Sequence, residues 1–165
     1  MRGSSLNGLS NLSVLELGET QVTGTGLSGL DLPNLRFLHL DRCPVTDETV
    51  ADIDIPTLVG LDLQDCSITD HGLGSIRTAV IKELWLSGTK VTSDGLAHLV
   101  RFEPLGLISL DGKVIDDKAI AHLRRCRNLG AIRIHGELAE GVTPEQLKAA
   151  LPDRYLKFIE NSPSK

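Results

Sequence analysis

Leucine and isoleucine fall along this chain in one short recurring pattern. Segments of the form L-x-x-[LI]-x-[LI] begin at Leu12, Leu35, Leu58, Ile81, Leu105 and Leu129, at spacings of 23, 23, 23, 24 and 24 residues. Inside them Leu15/Leu17, Leu38/Leu40, Leu61/Leu63 and Leu84/Leu86 alternate with polar or small residues, which is the spacing of a strand. A second apolar pair then follows at helical spacing: Leu27/Leu30, Val50/Ile53, Leu73/Ile76, Leu96/Leu99 and Ile120/Leu123. Thr46, Thr69 and Thr92, each with an aspartate nearby, are suited to start those helical turns as N-caps. The pattern predicts strands near 12–17, 35–40, 58–63, 81–86, 105–110 and 129–134, each followed by a short helical return.

One such unit cannot bury a core, but stacked copies give every leucine column a continuous interior. The predicted fold class is therefore α/β, a right-handed solenoid with a curved parallel sheet on its concave side and short helices on its convex side. Neighbouring strands would lie about 4.8 Å apart.

The repeat resembles the leucine-rich repeat, and "LDLQDCSITDHGLGSI" and "LRRCRNL" resemble its cysteine-containing subclass, found in F-box proteins and many bacterial proteins with short repeats. The resemblance spans 6–160. In that subclass a cysteine follows the strand, then [IV]-T-D, and a second cysteine precedes the next strand. Cys43 and Cys66 match the first position and Cys126 the second, while Thr20, Thr89 and Lys113 depart from it and the sixth unit is irregular. The resemblance implies a non-enzymatic protein- or peptide-binding module. It also admits the substrate-recognition portion of a larger ubiquitin-ligase-like assembly, or a structural spacer from a longer repeat protein.

The cysteines need no redox or metal role. A position that takes Cys or Thr asks for a small side chain with a weak donor, able to fill a turn and bond a backbone carbonyl. Cys126 falls in the column of Leu32, Ile55 and Phe102 and is expected as a buried small hydrophobe. Asp47 and Asp70 are expected to act in the first turn of their own helices. His98 and His122 share one repeat position and are expected in solvent.

Composition narrows the function. Of 165 residues 41% are hydrophobic and 24% charged, so the chain has material for a core, and with 3% aromatics that core must be aliphatic. The net charge of −5 argues against a nucleic-acid or anionic-membrane surface. No apolar run approaches the roughly 18 residues of a membrane span. Three cysteines at no zinc or disulfide-framework spacing lean toward a reducing, cytoplasmic compartment.

Solvent-facing positions on the strands form three columns. The middle one reads Glu16, His39, Asp62, Trp85, Ser109, Arg133; the preceding one Val14, Phe37, Gly60, Glu83, Leu107, Ala131; the following one Gly18, Asp41, Gln64, Ser87, Asp111, His135. Five carboxylates accompany one arginine there. Trp85, the single tryptophan, has no packing duty in this register, and Phe37 is a second aromatic on the same face. Exposed aromatics in a polar surround are the composition of a binding hot spot. The predicted partner site is thus Trp85 and Phe37 with His39, Asp62, Glu83, Asp41, Glu16 and Arg133, taking a protein or peptide of basic character.

No metal or cofactor is expected. Glu16, Asp62 and Asp41 surround His39, but a flat ladder supplies neither converging ligands nor a second shell. No enzyme is expected either: Ser109 stands three strands from His39, about 15 Å at sheet spacing, and neither a G-x-S-x-G elbow nor a phosphate-cradling glycine loop occurs.

The ends carry their own expectations. "MRGSS" resembles an added leader, and residues 1–11 otherwise resemble the tail of a preceding repeat, so an excised piece of a longer solenoid is one reading. A homodimer through the N-terminal edge is another, because an open parallel edge invites association. Repeats occupy 12–136. Residues 137–160, with Thr143-Pro144-Glu145 as a helix start, predict a capping helix and a partial seventh repeat, followed by a tail at 161–165.

Overall fold

The structure is a computed structural model and describes residues 6, 8–29 and 31–160. The leader MRGSS, Leu30 and the 161–165 tail lie outside the described residues. Seven strands run in sequence order through one sheet: β1 (Val14–Glu16), β2 (Phe37–His39), β3 (Gly60–Asp62), β4 (Glu83–Trp85), β5 (Leu107–Asp111), β6 (Ala131–His135) and β7 (Tyr155–Ile159). Every neighbouring pair is parallel, and the register steps by one repeat, so that Leu15, Leu38, Leu61, Leu84, Ile108, Ile132 and Leu156 stand side by side.

The strands begin two residues later than the leucine pattern. The leucine that opens a unit closes a turn instead of joining the ladder: Leu35 N–H donates to Leu32 C=O at 3.1 Å and Leu58 N–H to Ile55 C=O at 3.1 Å. Its side chain is nevertheless core. Leu35, Leu38, Leu40, Leu58, Leu61, Leu63, Ile81 and Leu84 are all at most 1% exposed.

The return segments are α1 (Asp47–Val50), α2 (Asp70–Ser75), α3 (Asp117–Arg125) and α4 (Pro144–Ala150), with 3-10 turns at Gly24–Leu27, Gly95–Arg101 and Gly112–Val114. Val50, Leu73, Leu96, Leu99 and Leu123 are buried beneath the sheet as their spacing requires. Thr46 and Thr69 are N-caps of α1 and α2. Thr92 is not, because its repeat starts its 3-10 turn at Gly95 and places Asp94 at the cap.

Asp47 and Asp70 stand in the first turns of α1 and α2, as expected, and also reach the following repeat. Asp47 Oδ1 accepts Thr69 N–H at 2.8 Å, and Asp70 accepts Thr92 N–H at 2.7 Å and Thr92 Oγ1–H at 2.6 Å. The glycines at the next helix starts make room for them, since a Cβ on Gly72 or Gly95 would stand 2.1 Å from the Asp47 or Asp70 carboxylate. Asp47 therefore ties its helix start to the cap of the following coil, and Asp70 ties its own to Thr92, ahead of the next 3-10 turn.

The cysteine column behaves as its chemistry suggests. Cys43 Sγ donates to Leu17 C=O at 3.0 Å and Cys66 Sγ to Leu40 C=O at 3.1 Å, both in the preceding repeat. The shorter threonines bond their own strand, Thr20 to Leu17 C=O at 2.7 Å and Thr89 to Leu86 C=O at 2.6 Å. Burial pushes the Cys66 thiol up to about 11. Cys126 is buried beside Phe102, and burial raises its thiol as well.

Lys113 takes the cysteine position in the fifth repeat and cannot be buried there. The turn is rebuilt around it as the 3-10 turn Gly112–Val114, and Lys113 points outward beside Asp111 at 3.8 Å. The left-handed residues that end the other strands, Glu19 (φ 59), Arg42 (φ 56), Asp65 (φ 56) and Gly88 (φ 74), skip this repeat and resume at Gly136 (φ 71).

At the C-terminal end Thr143 caps α4 reciprocally with Gln146, at 2.8 and 3.2 Å, and Leu147 is fully buried. Beyond it β7 pairs with β6 over five residues. Both ends of the sheet expose their core columns: Leu12, Leu15 and Leu17 are half-buried at β1, Leu156 is half-buried at β7, and Phe158 is 39% exposed.

Candidate interaction face

The register sets Glu16, His39, Asp62, Trp85, Ser109, Arg133 and Lys157 in one row across the sheet. It sets Val14, Phe37, Gly60, Glu83, Leu107, Ala131 and Tyr155 in the row before. The predicted site residues therefore share a face, but they do not share an environment.

Trp85 has a packing duty, contrary to expectation. Its ring leans back across β3 and meets the ring of His39 with centroids 5.9 Å apart and 41° between planes. Both side chains are half-buried. Asp62, which stands between them in register, is only 8% exposed. Its carboxylate accepts Gln64 N–H at 2.9 Å and lies 3.5 Å from His39 Nδ1. Burial is the main force raising the Asp62 carboxyl above its ordinary value; Asp41 adds to it, while the Gln64 N–H and His39 oppose it. Asp62 is thus a floor beneath two rings rather than a rim charge.

Phe37 is also occupied. A Cβ on Gly60 would stand 2.4 Å from Phe37 Cδ1, so the ring lies across the space that this glycine leaves in the next strand. The charged groups around these half-open rings are accessible too: Glu16 is exposed, and Asp41, Glu83 and Arg133 are half-buried. Once the buried Asp62 is removed and Lys157 added, the row runs from acidic at β1 to basic at β7.

Ser109, expected at the surface, has no exposed area. Its hydroxyl joins Ser87 Oγ at 2.8 Å and His135 Nε2 at 3.0 Å. The histidine near Ser109 is His135 and not His39: it lies on the neighbouring strand two residues beyond the partner of Ser109, and so on the same face. Burial pushes the His135 imidazole below its ordinary value, against the pull of Asp111. A serine with both hydrogen-bonding sides engaged and no open surface cannot meet a substrate as it stands. This trio fastens strands β4, β5 and β6 together.

Ser87 and His135 also line an open depression of about 1350 Å³, bounded by Arg42, Asp65, Asp111, Lys113 and, from the last strand, Phe158. Arg42 is committed there, pairing with Glu19 and, at 3.4 Å, with Asp65. Among the described residues no group of three or more His, Cys, Asp or Glu comes together in a way that could hold a metal ion. No helix among them is long and apolar enough to cross a membrane.

His122, expected in solvent, is half-buried with Nδ1 enclosed, because α3 is longer than the other returns and packs along the turn Gly95–Arg101. Arg101 was not singled out by its spacing. It donates to Gly74 C=O at 2.6 Å, to Leu73 C=O at 3.3 Å and to Ile76 C=O, closing the C-terminal end of α2 from the following repeat, and stacks 4.7 Å over Phe102.

A family model described as Leucine Rich repeat matches residues 55–76, the third strand and its return. Among solved structures the chain is similar to an internalin, InlF, from Listeria monocytogenes str. 4b F2365, at 18% identity and a TM-score of 0.55, over 92% of this chain and 48% of that one. The chain thus spans about half the length of that internalin. It is also similar to the plant peptide hormone receptor RGFR1, solved in complex with RGF2, at 15% identity and a TM-score of 0.32, over 94% of this chain and 33% of that one. No curated protein matches it in sequence. The matched repeat is one of a series whose leucines stack in unbroken columns beneath a seven-stranded parallel sheet, and the chain has the fold of a leucine-rich-repeat solenoid.

Proposed function

We propose that the solvent face of the sheet is a protein- or peptide-binding surface centred on Trp85. The observation that carries this reading is the Trp85–His39 contact: two large rings, held together and half-open, in the middle of a polar face. A preformed aromatic platform loses little side-chain freedom when a partner lands on it, which is what an anchor needs. A solenoid face is also long and shallow, suited to an extended chain rather than an enclosed small molecule. Phe37 extends the platform toward β1. Glu16, Asp41 and Glu83 lie around it, so a basic segment fits over β1–β4, while Arg133 and Lys157 set the opposite preference farther along.

Panning a random-peptide display library against the immobilised protein tests this. Enriched peptides should combine lysine or arginine with an aromatic residue, and Trp85→Ala should weaken them about thirtyfold, corresponding to about 2 kcal/mol. Peptides indifferent to Trp85→Ala, or rich in acidic residues, would remove the face from consideration.

A further inference from the structure

We propose that a hollow between the fourth and fifth returns binds a phosphoryl group carried on a phosphorylated peptide segment of a partner protein, held by Arg125 and Arg127. The hollow measures about 550 Å³ and opens at the turns leading into β5 and β6, inside the run of repeats. Phe102 and Cys126 line it from the core, and Val100 is half-buried beside them. Asn128 Nδ2–H donates to Glu103 C=O at 2.8 Å and fastens one wall to the other.

Two arginines border this hollow with nothing to hold. Arg101 stands one repeat earlier at the position of Arg125, and it commits its guanidinium to the carbonyls of Leu73, Gly74 and Ile76. Arg125 makes no such bond. The end of α3 is served from the next coil instead, where Arg154 donates to Cys126 C=O at 3.1 Å. Among the described residues the guanidinium groups of Arg125 and Arg127 form neither a hydrogen bond nor an ion pair, and both residues are exposed. Carboxylates outnumber basic residues in this chain, 22 to 17, yet none closes on these two. Like charges on the border of one hollow repel each other until an anion sits between them.

Glu103 lines the same hollow and decides which anion fits. Its charge offsets one arginine, so a singly charged carboxylate gains little there. A phosphoryl group brings close to two charges and three acceptor oxygens, enough for a guanidinium fork from each arginine. Arg154, at the Cys126 carbonyl, and Arg101, 4.7 Å from the Phe102 ring centre, keep the surroundings positive. The hollow has room beyond a phosphate ion, and Val100 and Phe102 give that room an apolar side, which suits a phosphorylated side chain with its peptide. Trp85 lies on the sheet face and not at these turns, so the site stands apart from the partner-binding reading.

Two titrations test the proposal. Inorganic phosphate, added to the isotope-labelled protein, should displace the backbone amide resonances of Arg125, Cys126, Arg127 and Asn128. Fluorescence anisotropy then compares labelled degenerate peptides built around a fixed phosphoserine, serine or glutamate. The phosphoserine peptides should bind at least about tenfold tighter than either of the others, and tighter than phosphate alone. Arg125→Gln and Arg127→Gln should each weaken them at least about tenfold, whereas Arg36→Gln, at an exposed arginine before β2, should leave them unchanged. Circular dichroism confirms that the variants are folded. Amides of the hollow that ignore phosphate, serine or glutamate peptides that bind as well, phosphate held as tightly alone as on a peptide, or binding indifferent to both arginine variants would each overturn the proposal.

Discussion

Trp85 and His39 stand two strands apart, yet their rings lie 5.9 Å from centroid to centroid, with Asp62 nearly closed off between them in register. The carboxylate is held where its charge is disfavoured. Because its folded-state carboxyl is raised above the unfolded value, folding is favoured while Asp62 is protonated, and that contribution is lost as pH rises through the folded-state value.

Removing the charge should therefore stabilise the protein at neutral pH. Asp62→Asn is expected to raise the melting temperature at pH 7 by about 1–3 °C, a modest figure because the group is not wholly desolvated. The gain should vanish below about pH 4, where the wild-type carboxyl is also neutral. Thermal melts across that range check it, and a lower melting temperature for Asp62→Asn at pH 7 would show the ion pair with His39 to outweigh burial.

Cys66 is expected to be inert while the protein is folded. With its thiol raised to about 11 and its Sγ bonded to Leu40 C=O, it carries almost no thiolate at neutral pH. An aromatic disulfide reagent should label it only at the rate of unfolding. Cys66→Thr should cost less than about 1 kcal/mol, since Thr89 fills the same place one repeat on, whereas Cys66→Val loses the donor and should cost more.

The Asp70–Thr92 bridge predicts a loss out of proportion to its position near the surface. Asp70→Ala removes two charge-assisted hydrogen bonds that join adjacent coils and should cost about 2 kcal/mol, read as a lower urea midpoint. Asp70→Asn, which keeps an acceptor for the Thr92 N–H, should lose about half as much.

Gly60 controls the placement of Phe37. A methyl group there would stand 2.4 Å from the ring, so Gly60→Ala should swing Phe37 out toward solvent while leaving the strand intact. The expected signature is a displaced Phe37 ring resonance, a small loss of stability of about 1 kcal/mol or less, and weaker binding of peptides that use the aromatic platform.

The solenoid itself was legible because its cause is local. Leucine at every 23rd or 24th position, strand spacing followed by helical spacing, admits one economical burial. The seven parallel strands and the in-step register of Leu38, Leu61 and Leu84 follow from it. The exchange of cysteine for threonine was readable for the same reason: both fit one turn and both donate to a carbonyl. Asp47 and Asp70 do stand in the first turns of their own helices, as their positions suggest, but their bonds to Thr69 and Thr92 were not legible, because a partner one repeat away leaves no mark on the spacing within a repeat.

Sequence by itself determined which residues occupy the sheet, which face each takes and which neighbours flank it, because those depend only on a period of two within a strand and of one repeat between strands. The tertiary structure alone decided what each side chain does on arrival. It leaned Trp85 onto His39, sealed Asp62 beneath them, drew Ser109 between Ser87 and His135 and laid Phe37 over Gly60. Those outcomes depend on the volume and polarity of residues one or two repeats away in the chain, and no spacing rule along a single repeat carries that information.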